Sequence, residues 1–251
     1  MTAERWLRRP HPLPNAALRL VCLPHAGGST GLYREWSALL PPRVELLLAC
    51  PPGREDRLDD PIPADLPGLV SGLATAVAPL LDRPWAVFGH SMGAAVGHEL
   101  VSHLLRQGHP APVHLFVSAR EAPQHHRRGT IHLLDDNALC AELARLGGTD
   151  AALLAMPELR QLVLPAIRGD YRLIENYDPQ PVGLLPCPVT ALIGADDTEL
   201  TAEEADGWRD WTSAPFELLT FPGGHFYLSE RPREVIAAIR RQLAGNAIAP
   251  P

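Results

Sequence analysis

The chain has no apolar run near the roughly 20 residues that span a bilayer, and no charged-then-apolar leader at its N-terminus. These absences predict a cytoplasmic protein that neither crosses a membrane nor carries a secretory signal. Cysteine is scarce, with four residues at 22, 50, 140 and 187, widely scattered in apolar surroundings. That distribution excludes a disulfide framework or zinc scaffold and predicts buried, reduced thiols. No group of His, Cys and Asp has metal-ligand spacing, so neither a metal nor another cofactor is expected. Basic residues are outnumbered 22 to 29, a net charge of −7. This argues against general nucleic-acid binding, which needs a basic surface, though not against a local basic patch. The 27 prolines and 20 glycines form no low-complexity tract and fall mostly at element boundaries. Only the head, residues 9–14, and the tail, residues 249–251, look like poorly ordered ends.

What remains suits one α/β domain over residues 1–251. Short apolar strands are expected at 18–23, 44–50, 85–88, 113–117, 189–193 and 216–221. Amphipathic helices are expected at 31–40, 65–81, 94–105, 202–211 and 233–243. Leu32, Trp36 and Leu39 are spaced to share a helical face in the first of these. Strand–helix alternation of this kind predicts a mainly parallel sheet covered on both faces. The stretch between the strands at 113–117 and 189–193 is several times longer than a crossover requires. It contains two helical patterns, one through Leu139, Leu143 and Leu146, the other through Leu159, Leu162, Val163, Ile167 and Ile174. A helical insertion over about 121–185 follows, read as a lid over a pocket rather than a decorative subdomain.

The chemistry starts at Gly89-His90-Ser91-Met92-Gly93, with a strand before it and a helix after it. So sharp a strand-to-helix turn forces the serine into a strained conformation and leaves no room for side chains two positions away. A serine hydroxyl needs a base to accept its proton. His225 fits best among the eleven histidines, because its loop follows the last strand, where open α/β sheets place their sites. His25 and His90 fall near the site but beside backbone with other tasks. His98, His103 and His109 read as helix-surface or helix-end residues, and His125 and His126 lie in a polar stretch. The base in turn needs a carboxylate, and the strand at 189–193 ends in Gly194-Ala195-Asp196-Asp197. Asp197 is preferred, with Asp196 as the second candidate. The order Ser91, Asp197, His225 is that of α/β-hydrolases. An oxyanion needs two N–H donors, for which the backbone amides of Met92 and Ala26 are the candidates.

Five segments taken in order resemble the type II thioesterases, stand-alone editing enzymes of polyketide and nonribosomal peptide synthases. They are Pro24-His25-Ala26-Gly27-Gly28, Pro52-Gly53-Arg54-Glu55-Asp56-Arg57, the serine motif, Arg168-Gly169-Asp170-Tyr171, and Gly223-Gly224-His225-Phe226-Tyr227-Leu228. The similarity runs from about 18 to 243, with Gly169 standing where the family often has a slightly larger small residue. The resemblance implies the α/β-hydrolase fold, a triad of Ser91, Asp197 and His225, and oxyanion amides at Ala26 and Met92. It also implies the substrate, an acyl thioester on the phosphopantetheine arm of an acyl or peptidyl carrier protein. Attack by Ser91 would give an acyl-enzyme that water, activated by His225, then clears.

Carrier proteins are usually acidic, so a basic rim is expected from Arg120, Arg127, Arg128, Arg168 and Arg172, joined by Arg54 and Arg57. A monomer is the simplest expectation. Four other readings compete. Two are a small-molecule carboxylesterase or lipase on the same fold, and a medium-chain acyl-carrier thioesterase of fatty acid synthesis. A release or cyclising thioesterase is a third, against which stands the expectation of no upstream carrier domain. The last is a scaffold protein without chemistry, which usually lacks a triad member.

Overall fold

The computed structural model describes residues 3–148, 154, 156–180 and 183–244. Seven strands, β1 (Leu7–Arg8), β2 (Leu18–Leu23), β3 (Val44–Ala49), β4 (Trp85–His90), β5 (His114–Ser118), β6 (Val189–Gly194) and β7 (Phe216–Phe221), form one sheet. Their spatial order is β1-β3-β2-β4-β5-β6-β7. All neighbours run parallel except β1, which is antiparallel to β3. Every residue of β2, β3, β4, β5 and β6 is buried, as expected of strands covered on both faces.

Alternate residues feed two cores. Val21, Leu23, Val87, Leu115 and Val117 meet the helices α2 (Leu66–Val77) and α3 (Met92–Arg106). Leu20, Leu46, Ala86, Phe88 and Phe116 face the opposite way, onto Tyr33, Trp36 and the C-terminal helix Pro232–Ala244. The register matters for function. Leu23 pairs with Gly89, His90 with Ser118, Ser118 with Leu192, and Gly194 with Phe221. The C-terminal ends of five strands therefore lie along one edge, and their loops emerge together.

Two local expectations change. The segment read as an amphipathic helix over 31–40 is a 3-10 helix, Thr30–Ala38, capped by Ser29. Its buried pair is Tyr33 and Trp36, each 1% exposed, while Leu32 and Leu39 are only partly buried. Side chains three apart eclipse in a 3-10 turn, so that geometry serves a pair spaced by three better than an α-helix would. The head is also not loose. A short helix, α1 (Ala3–Trp6), leads into β1, and residues 9–14 are tied to β3. The Glu45 carboxylate, fully buried in β3, accepts from Arg9 Nε at 2.9 Å, Leu13 N–H at 3.0 Å and Arg19 Nε at 2.9 Å. A proline-rich stretch shows only broken periodicity in sequence, and its anchor lies 32 residues away from Leu13. The expected loose tail, residues 249–251, lies outside the described residues.

Between β5 and β6 run α4 (Asp136–Leu146) and α5 (Pro157–Glu175), where two helices were expected. Residues 149–153, 155, 181 and 182 of this stretch lie outside the described residues. Leu139 and Leu143 of α4, Leu164 and Ile167 of α5, and Leu154 from between them form a small separate core. Gly169 is where α5 passes Ile62, since a Cβ there would meet Ile62 Cδ1 at 2.5 Å. A short helix α6 (Ala202–Asp206) and a 3-10 turn Gly207–Trp211 share the segment expected as one helix at 202–211. The four cysteines are free thiols, three buried and Cys140 half-buried. Among the described residues no helix is long and apolar enough to cross a membrane.

Replacing Glu45 with alanine would remove the buried carboxylate shared by Arg9, Arg19 and the Leu13 N–H, leaving Arg19 only Asp82 and the Leu80 carbonyl. A loss of about 3–5 kcal/mol is expected, the usual cost of breaking a buried pair, read as a lower urea midpoint at unchanged slope.

Candidate active site

Strand β4 ends at His90 and helix α3 begins at Met92, so a single residue turns the chain. Ser91 takes φ 54° and ψ −118°, a backbone state that side chains rarely adopt. The neighbours explain the two glycines. A Cβ on Gly89 would lie 2.1 Å from the Gly93 carbonyl oxygen, and one on Gly93 would lie 2.3 Å from that of Leu23. The Ser91 N–H donates to the Ser118 carbonyl at 2.8 Å, which locks the turn to β5.

His225 follows β7 and precedes the short helix α7 (Tyr227–Glu230). Its Nδ1 lies 2.9 Å from Asp197 Oδ2, and the two side chains are 9% and 1% exposed. A carboxylate can only accept, so Nδ1 carries the proton and Nε2 is left free to act as a base. The other oxygen, Asp197 Oδ1, accepts the Glu199 N–H at 2.9 Å. Asp196, the second candidate, is exposed and gives its backbone N–H to Gly223 O. Its loop and the histidine loop touch backbone to backbone, because a Cβ on Gly194 would meet Gly224 O at 2.2 Å. That contact brings the carboxylate two residues past the strand's neighbour within reach of the imidazole.

His25 and His90 do lie beside the site. The His90 and His225 rings are 5.3 Å apart, and His25 meets the Phe226 ring edge-on at 4.7 Å. His90 Nδ1 hydrogen-bonds Ser118 Oγ at 2.9 Å, which in turn bonds the Tyr227 hydroxyl at 2.7 Å. Burial above all, with the neighbouring His225 ring and Arg54 guanidinium adding to it, pushes His25 down to about 3. Burial likewise holds His90 well below its ordinary value. Both rings stay uncharged at neutral pH. His98, expected at a helix surface, is instead fully buried against Trp208 and Trp211, because the 202–211 segment folds over that face of α3.

Ser91, Met92, Ala26 and His225 line one cavity of about 190 Å³. Tyr171 and Ile174 of α5 and Leu146 of α4 line it too, so the segment between β5 and β6 forms part of its wall. Arg120, Glu121, His126 and Phe226 also line it. Of these, Glu121 and His126 were missed as pocket residues in the sequence. Their position just after β5 was the available signal, since that strand ends at the same sheet edge as the others. Arg120 Nη2 lies 3.0 Å from Glu121 Oε1 and 2.7 Å from His126 Nδ1. Among the described residues no cluster of three or more His, Cys, Asp or Glu could hold a metal ion.

The expected basic rim is smaller than drawn. Arg54 and Arg57 are buried. Arg54 pairs with Asp170 at 2.7 Å, while Arg57 bonds Asp60 and the Cys50 carbonyl and covers the Trp6 ring. Their loop folds inward because its guanidinium groups satisfy carbonyls that would otherwise be stranded. Arg168 is held by Asp136. Arg127 and Arg128 are exposed, Arg127 beside Glu204 at 2.6 Å.

Gly93→Ala tests the turn. The added methyl meets backbone rather than a yielding side chain, so a loss of about 1–3 kcal/mol or more is expected. Urea unfolding should show it, with Gly108→Ala, where the open position has only its positive φ of 81° to strain, costing less.

The thioesterase domain family matches residues 18–243. A probable cadicidin biosynthesis thioesterase of Streptomyces griseus is 43% identical over 99% of this chain and 69% of its own length. Thioesterase PikA5 of Streptomyces venezuelae is also 43% identical, over 98% of this chain and 88% of its own. The solved type II thioesterase BorB, from the borrelidin biosynthetic cluster, is 42% identical with a TM-score of 0.88, covering 95% of this chain and 97% of that one. The chain thus belongs to the thioesterase domain family, as a type II thioesterase on the α/β-hydrolase fold.

Proposed function

We propose that Ser91, His225 and Asp197 are the catalytic triad of this thioesterase, acting on acyl groups carried on the phosphopantetheine arm of a carrier protein. The observation that carries the reading is the Asp197–His225 hydrogen bond at 2.9 Å beside a strained serine in the same cavity. His225 Nε2 takes the Ser91 proton as Oγ attacks the thioester carbonyl carbon. The oxygen gains the negative charge, and the backbone N–H groups of Ala26 and Met92 receive it. Collapse of this intermediate expels the arm's sulfur, which takes the proton from His225 and leaves the acyl group on Ser91. A thiolate is a good leaving group, so it depends little on that proton. Water, deprotonated by His225, then repeats the sequence and frees the acid.

Asp197 holds the imidazole in the tautomer that leaves Nε2 free and stabilises the imidazolium. The segment of about 121–185 acts as a lid on a single domain, since its two helices wall the cavity. The similarity to the type II thioesterase of the borrelidin cluster and to that of the yersiniabactin NRPS/PKS pathway supports the editing role, clearing stalled or misprimed chains. An acidic carrier would meet Arg127, exposed where it lines the cavity, and its exposed neighbour Arg128.

A fluorophosphonate probe should label the wild-type protein and leave Ser91→Ala unlabelled, with kcat for an acyl-carrier substrate falling at least about 1,000-fold. Absence of label on the wild type would overturn the triad. Reversing charge at Arg127 and Arg128 together should raise KM about tenfold for an acyl carrier protein and leave KM for the same acyl group on a short thiol unchanged. Equal effects on both substrates would remove the carrier-docking role. Turnover of the short thiol far above that of the carrier would favour a general esterase instead.

A further inference from the structure

Three of the five segments singled out in the sequence meet at one buried ion pair that the chemistry above does not use. Asp170, on α5 and 1% exposed, places Oδ2 2.7 Å from the Gly27 N–H, one residue past Ala26. Arg54, from the loop after β3, donates to Asp170 Oδ1 at 2.9 Å and to the Gly28 carbonyl at 2.7 Å. It also donates to the Pro52 carbonyl. The next residue, Glu55, accepts from the Thr30 N–H at 2.9 Å and the Thr30 hydroxyl at 2.7 Å. Both ends of the loop 25–30 are therefore gripped by charged side chains. The contact with α5 is also steric, since a Cβ on Gly27 would lie 2.4 Å from Ile167 Cγ1. Gly27 itself stands at φ 75°, a conformation that suits glycine.

We propose that Asp170 is a positioning residue that sets the oxyanion loop and makes its geometry depend on how α5 is seated. This rests on the reading of Ala26 as an oxyanion donor. The Gly27 N–H has one turn to make: its peptide plane is fixed by Asp170, and the adjoining plane carries the Ala26 N–H. Burial raises the Asp170 carboxyl above its ordinary value, and Arg54 opposes that rise and orients the carboxyl while it grips the same loop at Gly28. A carboxylate buried this completely is costly unless paired and hydrogen-bonded, and here every contact converges on the loop and on Arg54. If α5 lifts from the cavity, the Gly27 N–H loses its acceptor and the Ala26 N–H loses its aim. The lid helix and the oxyanion site thus form one unit, and a cavity opened to solvent is a cavity with weakened catalysis.

The test uses the full chain with Asp170→Ala and Asp170→Asn, the second being isosteric and retaining an acceptor oxygen for Gly27. The kinetics are read with a butyryl thioester of N-acetylcysteamine. Affinity for phenylboronic acid is read beside them, because its tetrahedral adduct on Ser91 places an oxygen where the oxyanion forms. Thermal unfolding reports whether each variant is folded at the assay temperature. Asp170→Ala is expected to lose about 10–100-fold in kcat, the scale of a small misplacement of a catalytic group, with KM within about twofold. Boronate affinity should fall by the same factor, and Asp170→Asn should show a smaller parallel loss. A merely structural role would lower the unfolding temperature without this parallel loss.

The inference is overturned if folded Asp170→Ala keeps kcat within about threefold of wild type, or if either folded variant loses kcat with boronate affinity unchanged. Should Asp170→Ala not fold, Asp170→Asn is judged by the same criteria. If wild-type Ser91 takes neither fluorophosphonate nor boronate, the reading of the site fails and this one with it. If wild type reacts and the folded variants match it, only the role of Asp170 fails.

Discussion

Ser91 is held at φ 54° and ψ −118° between a strand and a helix, and the surrounding backbone leaves it no alternative. Such a conformation costs on the order of 1–3 kcal/mol and persists only where neighbouring structure over-determines it. Here β2 and α3 press together until the Gly93 Cα faces the Leu23 carbonyl, and the Ser91 N–H is tied to Ser118 on β5. The strain therefore presupposes the parallel alignment of β2, β4 and β5. It projects the serine side chain above the sheet edge, at the start of a helix whose first N–H groups have no partner within the helix.

The same alignment supplies the rest of the site. Because Leu23, Gly89 and Val117 lie side by side across the sheet, the loops that follow them open onto one space. The loops after β6 and β7 join them through the pairing of Gly194 with Phe221 and the backbone contact of Gly194 with Gly224. Asp197 and His225 are 28 residues apart in the chain and 2.9 Å apart in space for that reason. Two chains of hydrogen bonds run nearby, from His90 Nδ1 through Ser118 to Tyr227 and from Asp170 through Arg54 to Gly28. Each such chain fixes a backbone segment that borders the cavity. Polar burial of this kind specifies geometry more than it adds stability.

Six strands, the main helices and the serine turn were legible because each is written in local pattern. Continuous apolar runs mark strands covered on both faces, and a glycine two positions either side of a serine marks a turn without room. Of the two adjacent acids it is Asp197 that lies against His225, and the cause, the meeting of two glycine loops, is visible only in three dimensions. Where local pattern was silent, the reading erred. The head looked loose because its anchor, Glu45, sits in another strand. Arg54 and Arg57 looked like rim residues because charge reads as solvent-facing until a buried partner is seen. His98 looked like a surface histidine because the tryptophans that cover it come more than a hundred residues later.

By itself the sequence determined which elements form, in what order, and that a serine, an acid and a histidine follow one another at strand ends. Those are properties of hydrophobic period and of steric need at single positions, which neighbouring residues decide. Only the tertiary structure decided what these groups touch: Asp197 on His225, Asp170 on Gly27, α5 over the cavity. Long-range contacts are set by sheet register and by the closure of distant loops, and no local spacing encodes them.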